Sequence, residues 1–102
     1  MDKNQNIKFA GLLPVGSVVS CASEGKRVMI IGRGHSAADD ENVRYDYCSV
    51  LFPEGFIDGD HLFFHNHRDI TKVYRVGYIN DSEMELEAKL EAYLRDKRGL
   101  DA

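Results

Sequence analysis

Between Ile79 and Ser82 the hydrophobic period of this chain changes, and that change restricts the fold more than any other feature. Before it, the apolar runs are short: "LLPVGSVVSCA", "RVMIIGR", "YDYCSVLF", "HLFFHN" and "KVYRVGYI". Turns rich in glycine, proline and polar residues separate them, which is the grammar of strands and hairpins. After it, Leu86, Leu90, Tyr93 and Leu94 recur at i, i+4, i+7 and i+8, one face of a helix. Ser82 and Glu85 fit an S-x-x-E capping box, acids crowd the first half, Lys89, Arg95, Lys97 and Arg98 follow, and Gly99 supplies a stop. A helix is therefore expected over residues 82–98, packed on the strands through its leucine and tyrosine face.

The strands occupy about residues 12–79. "LLPVGSVVSCA" and "RVMIIGR" flank the turn "SEGK" and make a first hairpin. The unbroken run Val28 to Ile31 suits a strand covered on both faces. Residues 34–44, "GHSAADDENVR", read as a mobile hairpin loop, and "YDYCSVLF" ends at the turn "PEG". Five strands and one C-terminal helix, with no βαβ crossover, give an α+β domain: a curled antiparallel five-stranded sheet or an SH3-like open barrel, capped by the helix. The 102 residues form one domain able to bury roughly two thirds of its unfolded surface.

Charge narrows the partners. Thirteen basic against seventeen acidic residues give a net charge of -4, without a basic cluster on any element, so nucleic acid is not expected. No stretch reaches the ~20 apolar residues that span a bilayer, and a membrane role is not expected either. Cys21 and Cys48 are too few for a disulfide framework and read as reduced thiols. "VVSC" at Cys21 is similar to a lipobox, which makes a surface lipoprotein an alternative. Asp2 and the interruptions at Gly11, Pro14, Gly16 and Ser17 argue against it, since they weaken both the charged and the apolar parts of a signal sequence.

The stretch "DGDHLFFHNHRDI" holds three histidines and three aspartates, and invites a metal-dependent hydrolase as a second alternative. In an extended segment His61 and His65 stand ~13 Å apart and cannot share an ion, whereas His65 and His67, ~6.6 Å apart, lack a third ligand unless Asp58 or Asp69 supplies it. No metal is expected. Gly32, Gly34 and Ala37 match G-x-G-x-x-A, but no helix follows to hold a pyrophosphate, so no dinucleotide cofactor is expected. Cys48, in mid-strand, reads as a small buried hydrophobe, and no acid, base and nucleophile converge. An enzyme is not expected. Tyr45 and Tyr47 alternate onto one face of their strand, where they either pack beneath the helix or meet a partner. The partner surface is assigned to Tyr45 and Tyr47 with the turn Pro53, Glu54 and Gly55.

Taken in order, "LLPVGSVV", "VMIIGR", "YDYCSVLFPEGF", "FFHNHRDI" and "VYRVGYIND" resemble the successive blocks of the family known as domain of unknown function 4176, from about Leu12 to Glu83. Proteins of that kind occur in Gram-positive bacteria, encoded beside type VII secretion genes and the LXG-domain toxins that this system exports. The resemblance implies a cytoplasmic accessory protein that binds an LXG toxin, or a helical companion of it, before export. It also implies that Asn66, His67, Asp69 and Ile70 form a turn in which Asn66 and Asp69 cap backbone groups. In the same comparison His61 and His65 fall outside the pattern, and the C-terminal helix is the variable part.

Overall fold

The computed structural model describes residues 12–21, 25–34, 36–37 and 40–98. Seven strands and one helix are formed among them: β1 Val18–Cys21, β2 Arg27–Arg33, β3 Ser36–Ala37, β4 Asp40–Arg44, β5 Tyr47–Leu51, β6 Phe63–His65, β7 Ile70–Arg75 and α1 Asp81–Arg98. Five of the strands make one antiparallel sheet in the order β6-β5-β2-β1-β7. The sheet is not closed into a barrel, and with α1 it gives the expected α+β fold. Gly59–His61 and His67–Asp69 are single turns of 3-10 helix on either side of β6.

The sheet curls because its register slips. Between β2 and β5, Ile30 pairs with Ser49 and Gly32 with Cys48, which leaves Ile31 as an extra residue. Ile31 is turned outward and exposed, so β2 alternates between buried and solvent-facing positions rather than being covered on both faces. Two further slips between β1 and β7 leave Thr71 and Tyr74 unmatched. Strand β1, between β2 and β7, is buried along its whole length, and Cys21 within it faces Ile70 across the ladder.

The described residues of the expected 34–44 hairpin loop are largely strand. They contain a second, two-stranded sheet of β3 with β4, in which Ser36 pairs with Arg44 and Ala37 with Asp40.

The core is built from Leu12, Leu13, Val19, Val28, Ile30, Tyr47 and Leu94, with Leu51, Phe63, Ile70, Val73 and Leu90 packed against it. Leu12 to Ser17 are a tight strap rather than the start of β1: the Ser17 N–H and hydroxyl both donate to the Pro14 carbonyl, at 3.2 and 2.8 Å. Gly77 passes directly over that strap, donating its N–H to Ser17 Oγ at 2.9 Å, and any Cβ there would overlap the Val15 carbonyl oxygen.

Helix α1 docks through part of its apolar stripe: Leu90 and Leu94 pack on the core as expected, while Leu86 and Tyr93 are exposed. Among its described side chains, the half-buried and buried ones are Glu83, Glu87, Leu90, Glu91 and Leu94. At 100° per residue this face is turned by roughly 60° from the stripe of Leu86, Leu90, Tyr93 and Leu94. Leu86 is 48% exposed and Tyr93 38%, while Leu94 is only 4% exposed. The cause is polar. Arg33 at the end of β2 forks onto Glu83 with two contacts of 2.8 Å and also donates to the Leu13 carbonyl, and the Leu12 N–H donates to Glu87 at 3.0 Å. The expected capping box at Ser82 and Glu85 is also replaced: Asn80 caps the helix, its side-chain oxygen accepting from the Glu83 N–H at 2.9 Å. Glu83 is thereby fixed in the first turn, where its carboxylate suits both the helix dipole and Arg33.

Candidate partner-binding site

Of the five residues assigned to a partner surface, Tyr47 is a core residue. It has no exposed area, because β5 lies inside the sheet between β6 and β2 and the curl folds its inner face over the core. The Tyr47 hydroxyl accepts from the Leu13 N–H at 2.8 Å and lies 2.6 Å from His67 Nδ1. Burial pushes this phenol well above its ordinary range, and the Leu13 N–H opposes the shift only in part. The hydroxyl therefore keeps its proton and shares a hydrogen bond with His67 Nδ1.

His65 and His67 do share a face, as the extended spacing implies, but what they cover is the Tyr47 ring, at centroid distances of 5.3 and 5.9 Å. His65 Nε2 sits 2.8 Å from Ser49 Oγ, a pairing absent from the sequence reading because sixteen residues separate the two. Ser49 has no exposed area, so this hydroxyl is not open to a substrate. His61 is paired at the surface with Asp58, at 2.6 Å. That hydrogen bond raises the histidine's pKa and lowers the aspartate's. No group of three or more His, Cys, Asp or Glu side chains among the described residues is arranged to hold a metal ion. Cys48 is buried, and burial raises its thiol pKa, which disfavours the thiolate.

The turn expected at Asn66 to Ile70 is present. Asn66 donates its N–H to the Asp69 carboxylate at 2.9 Å, and its side-chain oxygen accepts from the Asp46 N–H at 3.0 Å. Asp46 in turn accepts from the His67 N–H at 2.8 Å. Around this joint lies an open cleft of about 490 Å³ lined by Arg44, Asp46, Asn66, His67 and Arg68. A second cleft, of about 330 Å³, is lined by Cys21, Val28, Phe63, His65 and Asp69 among others.

Tyr45 is half-buried, with its ring tilted on Phe64 at 5.8 Å. The Pro53, Glu54 and Gly55 turn stands at the opposite end of β5, so the two do not form one patch. The turn is rigid: Gly55 has a positive φ of 84° and donates to the Leu51 carbonyl at 2.8 Å. It carries an apolar rim of its own, with Phe52, Phe56 and Ile57 exposed and Phe56 the most so at 65%.

The model of a domain of unknown function, DUF4176, matches residues 12–86. The chain belongs to the DUF4176 family. Among curated proteins and solved structures nothing matches it. The DUF4176 match covers the strap, both sheets and the first turn of α1, including Arg33 and Glu83, and ends before Leu90 and Leu94. No described helix is long and apolar enough to cross a membrane.

Proposed function

We propose that this DUF4176 protein is a non-catalytic accessory protein of a type VII secretion system, which binds an LXG-type toxin or one of its helical companions in the cytoplasm of a Gram-positive bacterium before export. The family match over residues 12–86 supports the reading, because the resemblance to that family implies a place beside type VII secretion genes. Two features of the molecule support binding over catalysis. His65, His67 and His61 are held in internal hydrogen bonds to Ser49, Tyr47 and Asp58, and the hydrogen-bonded 52–57 turn presents Phe52, Phe56 and Ile57 as contact area at low entropic cost. Tyr45, Pro53, Glu54 and Gly55 remain the proposed contact residues, without Tyr47.

Deleting the gene and measuring secretion of the neighbouring toxin tests the proposal. Secretion is expected to fall while toxin synthesis continues, and tagged protein is expected to bring down the toxin or its companion. Unchanged secretion together with empty pull-downs sinks it.

A further inference from the structure

We propose that the open edge of β7 takes up an extended acidic segment of the protein partner as a sixth strand of the sheet; the partner itself comes from the accessory reading above. In the order β6-β5-β2-β1-β7 the two edges differ. Strand β6 is three residues long and stands between two turns of 3-10 helix, whereas β7 runs for six residues, Ile70–Arg75. Among the described residues β7 pairs with β1 alone, so its other side presents backbone N–H and C=O groups outside any ladder. Such a row binds an extended chain through its main chain and leaves the choice of sequence to the side chains.

Charge makes that choice. Arg27, Ser20 and Lys72 lie side by side across β2, β1 and β7, on the face turned away from the core residues Val19, Val28 and Val73. Tyr74 stands against this row, with the Arg27 guanidinium 4.5 Å and the Lys72 ammonium 4.9 Å from its ring centre, and Arg75 follows it, exposed. None of these three cations forms an ion pair with a described residue. The neighbouring acids do not cancel them. Asp69, just before β7, turns its carboxylate back onto the Asn66 N–H at 2.9 Å, and Glu54 of the adjoining turn makes no ion pair with Arg27. In sequence the link between β1 and β2 adds one acid, Glu24, and one base, Lys26, which leaves the balance as it is. The Tyr74 phenol reports the same sign: a hydrogen bond to Ser20 holds it below its ordinary range, burial opposes, and the charges acting on it, Lys72 and Arg27, are both positive. A basic residue on an edge strand guards against pairing with another copy. Two copies of β7 would bring their Lys72 and Arg75 side chains together, whereas a strand with acidic residues on that face is attracted. The edge therefore selects an acidic segment over a second copy of this chain.

The test is a titration of isotope-labelled protein, followed by backbone amide NMR, with a blocked peptide of alternating Glu and Thr, with its Gln and Thr counterpart, and with the acidic peptide N-methylated at alternate amides. Saturable shifts centred on the Ile70–Arg75 amides, together with slowed amide exchange there, are expected with the unmethylated acidic peptide only. Lys72→Glu, a change at an exposed position, is expected to weaken binding about tenfold, and Lys72→Gln to fall between it and wild type, with the rest of the spectrum showing that both variants fold. Shifts that fail to saturate, that centre elsewhere, that the Gln or N-methylated peptide reproduces, or that survive Lys72→Glu overturn the proposal. Binding to phosphatidylglycerol vesicles in place of the peptide overturns it too, assigning the basic row to a lipid surface. Capture of the toxin separates the two readings. Equal capture by the wild-type and Lys72→Glu chains removes the β7 edge and leaves the accessory role, whereas no capture by the wild-type chain beside a saturable titration removes the accessory role and keeps the edge.

Discussion

At the level of single residues, the Tyr47 hydroxyl ties together the Leu12 to Ser17 strap, β5 and the His67 turn, accepting from Leu13 and hydrogen-bonded to His67 Nδ1. Tyr47→Phe keeps the ring and its contacts with both histidines but strands the Leu13 N–H. The expected cost is about 1–3 kcal/mol in urea unfolding, the penalty for a buried donor left without a partner. A change near zero would mean that water replaces the hydroxyl. Gly77→Ala is expected to cost about 1–3 kcal/mol or more for a different reason, because the new methyl meets backbone, which cannot move aside as a side chain does. Neither role is legible in sequence. Tyr47 in an alternating strand reads the same whether its face meets solvent or a curled core, and Gly77 looks like an ordinary strand glycine until Val15 is brought against it.

At the level of elements, the docking of α1 was only half legible. Periodicity found the helix and the packing of Leu90 and Leu94 but not the rotation that leaves Leu86 and Tyr93 exposed, because the hydrophobic pattern does not register that Arg33, fifty residues away, captures Glu83. A bidentate buried pair fixes orientation whatever its net contribution to stability. Leu94→Ala should therefore cost about 2–4 kcal/mol, whereas Leu86→Ala should fall within about 0.5 kcal/mol of wild type. Equal costs would show that the helix sits on its apolar stripe after all. The same face carries a pH dependence. The pKa of Glu91 is raised, chiefly by a hydrogen bond to Glu87, then by burial and by the charge of Glu87, with Arg95 and the Leu12 backbone opposing. A carboxyl whose pKa is higher in the folded state stabilises when protonated. That contribution is complete below the ordinary glutamate range and is lost as the pH rises through the raised folded value. Glu91→Gln keeps a donor toward Glu87 and removes the charge, so the variant should match wild type in acid and exceed it at neutral pH. A stability difference that does not vary with pH would contradict this.

At the level of the whole molecule, the strand content, the first hairpin, the five-stranded antiparallel sheet and the family blocks could all be read in advance, since they rest on local period and turn chemistry. The β3 and β4 ribbon could not, because "GHSAADDENVR" has the composition of a loop and only pairing between its two halves makes it a sheet. The clefts were likewise hidden, being made where β4, β5 and the Asn66 to Arg68 turn meet in space. The accessory role is a statement about assembly, so it is best tested on the assembled state. Native mass spectrometry of this 11.5 kDa chain co-expressed with an LXG-type toxin and its companions should give a discrete complex whose mass includes the chain in whole-number stoichiometry. The chain recorded only by itself, beside every neighbouring toxin and companion, would contradict that role.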